Sequence, residues 1–194
     1  MNRNNMQTRS WQTSFNATRA ESESGEIYIE GYFAVFGKET ELWPGAYEEI
    51  NAGAFNDTLG NDIRALINHD TTLVLGRNKS STLTLEIRSY GLWGRIKINE
   101  KDSDAVNLYE RVKRGDVDQC SFGFNIESEE TDWRENGTVK WTITKIDLHE
   151  VSVCTFPAYE ETGVQARHNE VTQHREKMLE QKKHDMKERF KKWH

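Results

Sequence analysis

With 194 residues, 35% of them hydrophobic and 30% charged, the chain fits one domain of ordinary size with polar ends. A formal net charge of −6 argues against a surface built for nucleic acid, and no apolar run approaches the roughly 18 residues of a membrane helix. Two cysteines and six histidines, without Cys-x-x-Cys or His-x-x-x-His spacing, exclude a disulfide framework and a structural zinc site, so neither metal nor cofactor is expected.

Composition separates three zones. Residues 1–24, rich in Asn, Ser, Thr and Gln, predict a flexible N-terminal arm, without the apolar stretch of a secretory signal; the expected location is the cytoplasm of the producing cell. Residues 25–168 alternate short apolar runs with turn residues and predict the folded domain. Residues 169–194 lack Gly and Pro and carry eight Lys and Arg against five Asp and Glu. That tail reads as a charged amphipathic helix, with Leu179, Met186, Phe190 and Trp193 forming a narrow apolar stripe.

Within the middle zone, Glu26 to Gly37 is β-branched and aromatic and predicts a strand bent by its glycines. Asn51 to Leu59 predicts a short helix. Thr82 to Arg88 and Leu92 to Ile98, joined by Ser89-Tyr90-Gly91, predict a hairpin. Val106, Leu108, Tyr109 and Val112 fall at helical spacing between Ser103 and Arg114, with Gly115 as the stop. Trp141 to Phe156 reads as a long extended stretch ended by Pro157. Many short strands and few helices predict a mainly β (α+β) barrel or sandwich with peripheral helices.

Three polar residues stand out against these patterns. From Asp62 to Asp70, strict alternation places His69 on the face of Ile63, Ala65 and Ile67. From Lys145 to Phe156, Glu150 shares a face with Ile146, Leu148, Ser152 and Cys154, with His149 turned the other way. A buried carboxylate needs a donor or a cation, and an imidazole supplies either. Ser121 alternates away from Cys120, Phe122 and Phe124. A serine becomes a nucleophile only beside a base, so Ser121 needs a histidine within reach. Cys120 is the rival nucleophile, but its parity points it into the core, where a thiol is ordinarily inert. A satisfied core histidine, a carboxylate paired with an arginine and an ordinary surface serine are the bland readings of the same residues.

The chain also carries Gly31-Tyr-Phe-Ala-Val-Phe36, Glu49-Ile-Asn-Ala-Gly-Ala-Phe55, Asn68-His-Asp70, Leu75-Gly-Arg77 and Gly91-Leu-Trp93. Arg114-Gly-Asp116, Ser121-Phe-Gly-Phe124, Glu150-Val-Ser152 and Thr155-Phe-Pro-Ala-Tyr159 follow in order. In this order the blocks resemble the prohead proteases of HK97-type tailed phages, distant relatives of the herpesvirus assemblins. The resemblance implies a herpesvirus-protease-like β-barrel flanked by helices and a serine endopeptidase. Its nucleophile would be Ser121, its base His69 and its third member Glu150. His149 competes for that last place, because herpesvirus proteases use a second histidine there. Gly76 and Arg77 are candidates for the oxyanion site. Ser80-Ser81 stands where the family often has glycine.

The implied substrates are capsid-protein or scaffold segments, and the enzyme's own ends, inside the assembling procapsid in the host cytoplasm. The tail would dock the enzyme in the shell and then be cut away, and a homodimer is expected by analogy. The rival readings are a catalytically silent barrel serving as an internal assembly scaffold and, with less support, a serine esterase lacking the Gly-x-Ser-x-Gly elbow.

Overall fold

The computed structural model describes residues 6–20, 25–156 and 161–191. The chain divides into two compact units, Met1–Tyr159 and Glu160–His194. The first holds β1 (Gln7–Gln12), β2 (Asn16–Arg19), β3 (Ile27–Val35), β4 (Thr40–Trp43), β5 (Ala46–Ile50), β6 (Arg64–Ile67), β7 (Asp70–Arg77), β8 (Leu83–Ile87), β9 (Gly91–Lys97), helix α1 (Ser103–Arg114), β10 (Gln119–Trp133) and β11 (Val139–Cys154). The second holds helix α2 (Glu161–Lys191).

Mainly β structure with two α-helices is what the sequence predicts, but the strands do not close into one barrel. Among the described residues they form a four-stranded sheet, β2-β3-β9-β8, and a seven-stranded one, β1-β10-β11-β5-β4, with β6 and β7 branching from β11. The branch follows from the length of β11. Its first part, Val139 to Ile143, runs parallel to β5, and its last part, Glu150 to Val153, runs parallel to β6 on the same edge. One 16-residue strand therefore carries two successive partners, and the sheet forks instead of closing.

The core is supplied by both sheets. Ile29 and Phe33 of β3 and Leu92 and Ile96 of β9 join Phe122 and Phe124 of β10, Val151 and Val153 of β11, and Leu108 and Val112 of α1. Burying each such side chain stabilises the fold by about 1.5–3 kcal/mol. Helix α1 begins at Asp102, whose carboxylate accepts from the amides of Asp104 and Ala105, and stops at Gly115 with φ of 86°. Asn51 caps a short 3-10 turn at Ala52–Phe55, within the stretch expected to be helical.

The N-terminal segment differs from the expectation. Gln7–Gln12 and Asn16–Arg19 are strands, one in each sheet, where a flexible arm was predicted. Trp11, Phe15 and Ala17 pack against the core, and the scattered apolar residues of a polar segment suffice to anchor two short strands. Helix α2 starts at Glu161, earlier than the 169 boundary expected for the tail. Of its apolar stripe, Leu179 and Met186 are exposed, while Trp193 and the Phe190 side chain lie outside the described residues. No helix among the described residues is long and apolar enough to cross a membrane.

Candidate active site

His69 reaches the site through a turn, not through strand alternation. Strand β6 ends at Ile67, which faces Asp70 across the hairpin, and the two intervening residues have positive φ: 50° at Asn68 and 62° at His69. Two left-handed central residues are the geometry that joins twisted antiparallel strands most tightly. Asparagine tolerates it, whereas for histidine it costs on the order of 1 kcal/mol or more. The surroundings hold the turn in place. Asn68 N donates to Val153 O (3.1 Å), Asn68 Oδ1 accepts from Thr155 N (2.8 Å), and His69 N donates to Ser152 Oγ (3.2 Å). The predicted alternation thus holds for Ile63, Ala65 and Ile67, which are core residues, and stops before His69.

Glu150 reaches the same place because β11 is bulged. Phe124 pairs with Leu148 and Gly123 with Glu150, leaving His149 as the extra residue. A bulge shifts the phase of a strand. Ile146 and Leu148 face the core before it, and Val151 and Val153 after it, so Glu150 and Ser152 lie on the opposite face. The expectation that Glu150 shares the face of Leu148 is corrected by this one inserted residue. His149 is corrected with it: rather than turning away, it lines one cavity of 220 Å³ with Met6, Arg64, Leu66, His69, Thr71 and Glu150.

On that face the polar groups interlock. His69 Nδ1 lies 2.7 Å from Glu150 Oε1, and Ser152 Oγ donates to Glu150 Oε2 at 2.5 Å. His69 Nε2 is buried and has no hydrogen-bond partner among the described residues. Burial works against the charged ring, but the neighbouring Cys154 thiol and the Glu150 carboxylate outweigh it and raise the His69 pKa to about 10. With Nδ1 held by a carboxylate, the neutral ring keeps its proton there and presents a lone pair at Nε2.

Ser121 stands one strand away. It is the cross-strand partner of Ser152, on the same face, and such partners have Cβ atoms about 4.5–5.5 Å apart. Ser121 is fully buried, and its hydroxyl donates to the Arg9 carbonyl of β1 at 3.0 Å. Gly123 explains the glycine beside it: a Cβ there would overlap Glu150 Oε1.

The chain has relatives. The sequence matches the family model of the caudovirus prohead serine proteases over residues 14–177. The chain belongs to that family. It is 31% identical over 142 residues to the prohead protease of Enterobacteria phage HK97, covering 71% of this chain. The match spans 59% of the length of that relative. The fold is also similar to that of the bacteriophage T4 capsid assembly protease, at 11% identity and a TM-score of 0.49, covering 77% of this chain and 97% of that one.

The other sequence candidates sort differently in this prohead protease relative. Cys120 is buried with its thiol directed at backbone carbonyls, including Tyr32 O at 3.3 Å, and burial pushes its pKa up to about 12. A thiol so far from ionisation is no nucleophile. His149 is buried, its nearest ionic neighbour Asp147 at 3.8 Å, while the carboxylate on His69 Nδ1 is that of Glu150. Arg77 is engaged locally: its amide donates to Thr82 Oγ1 (2.9 Å) and its guanidinium to Asp62 (2.6 and 2.8 Å). Gly76 sits against Thr82 and Ile96, facing Ala65 across the ladder. Ser81, where the family often has glycine, adopts the left-handed φ of 58° that glycine favours. Sequence reasoning missed Ser152 and Asn68 as supports of the site; both lie inside the motif blocks that carry Glu150 and His69.

Proposed function

We propose that the chain is a serine endopeptidase of phage prohead maturation, in which Ser121 is the nucleophile, His69 the general base and Glu150 the residue that orients the base. The observation that carries this reading is the Glu150 carboxylate on His69 Nδ1, held also by Ser152, the residue that faces Ser121 across the β10–β11 ladder. In the reaction, Ser121 attacks a peptide carbonyl while His69 Nε2 takes its proton and returns it to the leaving amine. Water then hydrolyses the acyl-enzyme by the same route in reverse. Glu150 stabilises the imidazolium formed in each half, and Ser152 holds the second carboxylate oxygen in place.

The substrates on this reading are capsid-protein or scaffold segments, together with the enzyme's own ends, cut inside the assembling procapsid in the host. Helix α2 would dock the enzyme in the shell before its removal, and the active form would be a dimer. A second reading, a catalytically silent assembly scaffold, draws on the hydrogen bond that engages the Ser121 hydroxyl with Arg9 instead of His69. Coexpression with the capsid protein decides between them. Wild type should shorten the capsid protein and Ser121→Ala should leave it intact; identical capsid products from both would sink the protease reading.

A further inference from the structure

The bulge that turns Glu150 toward His69 leaves His149 as the extra residue of β11, with its side chain only 4% exposed. Neither ring nitrogen of His149 has a hydrogen-bond partner among the described residues, and its nearest ionic neighbour, Asp147, stands 3.8 Å away. A buried imidazole in this state forfeits both a donor and an acceptor, which native folds rarely allow. The ring lines the 220 Å³ cavity that also holds His69 and Glu150, and exposed Thr71 opens that cavity to solvent.

The remaining walls define what fits. Leu66 and Met6 are apolar, and Arg64, opposite Glu150 in the β6–β11 ladder, brings a guanidinium with one N–H on Asp62. The volume lies below the about 300–1,000 Å³ of sites for whole small molecules, and suits a single side chain. An acidic side chain would meet the Glu150 carboxylate, and a basic one would meet Arg64 and compete with His69 for Glu150. An apolar one would leave both His149 nitrogens unpaired. A carboxamide is neutral and carries a donor and an acceptor together, the complement of a neutral imidazole.

We propose that this cavity is a specificity subsite of the protease, that it takes an uncharged carboxamide side chain of the substrate, the longer glutamine before asparagine, and that His149 selects it. The proposal rests on the reading of Ser121 as nucleophile and His69 as base. A cavity that shares His69 and Glu150 with the site holds the selected side chain close to the bond that is cut. The bulge then has two consequences: one inserted residue turns the carboxylate to the base and sets the selecting ring beside it.

The full chain is coexpressed with the capsid protein, and every cut absent from a Ser121→Ala control is mapped by mass spectrometry. A glutamine or asparagine should recur at one fixed distance from these cuts. At one such cut, the capsid-protein residue is changed to its apolar counterpart (methionine for glutamine, leucine for asparagine) and, separately, to the matching acid. Each change should slow that cut about tenfold or more, because a site built to hydrogen-bond its substrate discriminates against an analogue that cannot. His149→Phe keeps a ring and should cut the carboxamide and apolar substrates at equal rates. His149→Gln retains a donor and an acceptor and should keep part of the preference. Thr71→Trp, at an exposed position, serves where His149→Phe does not fold: it narrows the opening and should slow the carboxamide cut several-fold.

No recurrent carboxamide, equal cutting of the apolar or acidic substrate by wild type, a preference that folded His149→Phe leaves intact, or an unchanged rate in Thr71→Trp overturns the subsite while leaving the protease reading intact. No Ser121-dependent cut in any sample overturns both.

Discussion

The turn that carries His69 is tied to β11 through Asn68 N and His69 N and to Thr155, just past its end, through Asn68 Oδ1, and the ring is tied again through Glu150. Ser121 is secured differently, by its place in the ladder and by one hydroxyl bond to an edge strand. On the proposed roles, the base and its carboxylate are assembled in advance, as electrostatic preorganisation requires, whereas the nucleophile is engaged elsewhere. On the same reading, the half that must hold a charge is rigidly over-determined, and the half that must meet the substrate is the half that is covered.

The largest effect should come from removing the chemistry while sparing this scaffold. Ser121→Ala deletes a hydroxyl whose only bond among the described residues is to Arg9 O, so the fold should survive with little change in Tm. Proteolysis should fall by roughly three orders of magnitude or more, measured as kcat/KM on a capsid-derived peptide. A Ser121→Ala protein that still cuts would break the assignment of the nucleophile.

Glu150→Gln should cost somewhat less, on the order of 10²–10⁴ in rate, because an amide neither fixes the ring tautomer nor stabilises the imidazolium. Its pH profile separates it from a general loss of folding. Cys154 and the Glu150 carboxylate together raise the His69 pKa to about 10, so the rising limb of kcat/KM should lie in the alkaline range for wild type and move to lower pH, by the share that Glu150 contributes, in Glu150→Gln. Stability moves with the same proton. A histidine whose folded pKa exceeds its ordinary 6.5 contributes fully below that value and loses the contribution as pH rises through the folded pKa. The stability gap between wild type and Glu150→Gln should thus be widest below about pH 6.5 and narrow toward pH 10. A gap constant across that window would show that Glu150 acts on something other than His69.

Gly123→Ala sharpens the comparison from the other strand. The added methyl meets Glu150 Oε1, so the carboxylate must shift or β10 must bend. The expected result is a loss of activity of about 10–100-fold, since small displacements of a catalytic group are amplified in rate. Tm should fall measurably in the same protein. Activity unchanged in a folded Gly123→Ala protein would mean that the carboxylate position carries little of the rate.

The legibility of this molecule follows the range of the interactions involved. Helix α1 was legible down to its stop, because Gly115 and the apolar spacing are local signals. So was the parity of Ser121 against Phe122 and Phe124, because β10 is regular there. The orientation of Glu150 was not, because the bulge at His149 is fixed by pairing with Gly123 and Phe124, far away in sequence. The turn at His69 was hidden for a related reason: the bonds that impose positive φ on Asn68 and His69 come from Ser152, Val153 and Thr155, far away in sequence. Strand β1 was read as a flexible arm because its partner strand begins more than 100 residues later. The motif blocks compensated for these gaps in naming the family, since each block is weak alone and their order together is specific.

The smallest expected effect tests the over-determined half directly. Asn68→Gly keeps the backbone freedom that a φ of 50° requires, but removes the oxygen that accepts from Thr155 N. The lost hydrogen bond should cost about 0.5–1.5 kcal/mol, seen as a small fall in Tm, with kcat/KM reduced only a few-fold. Asn68→Val places a β-branched residue at the same positive φ and should cost more than glycine in both measurements, because strain adds to the lost bond. If the two variants match, the turn is held by the Thr155 bond and not by its backbone geometry. If valine alone is damaging, the left-handed conformation itself is what delivers His69 to Glu150.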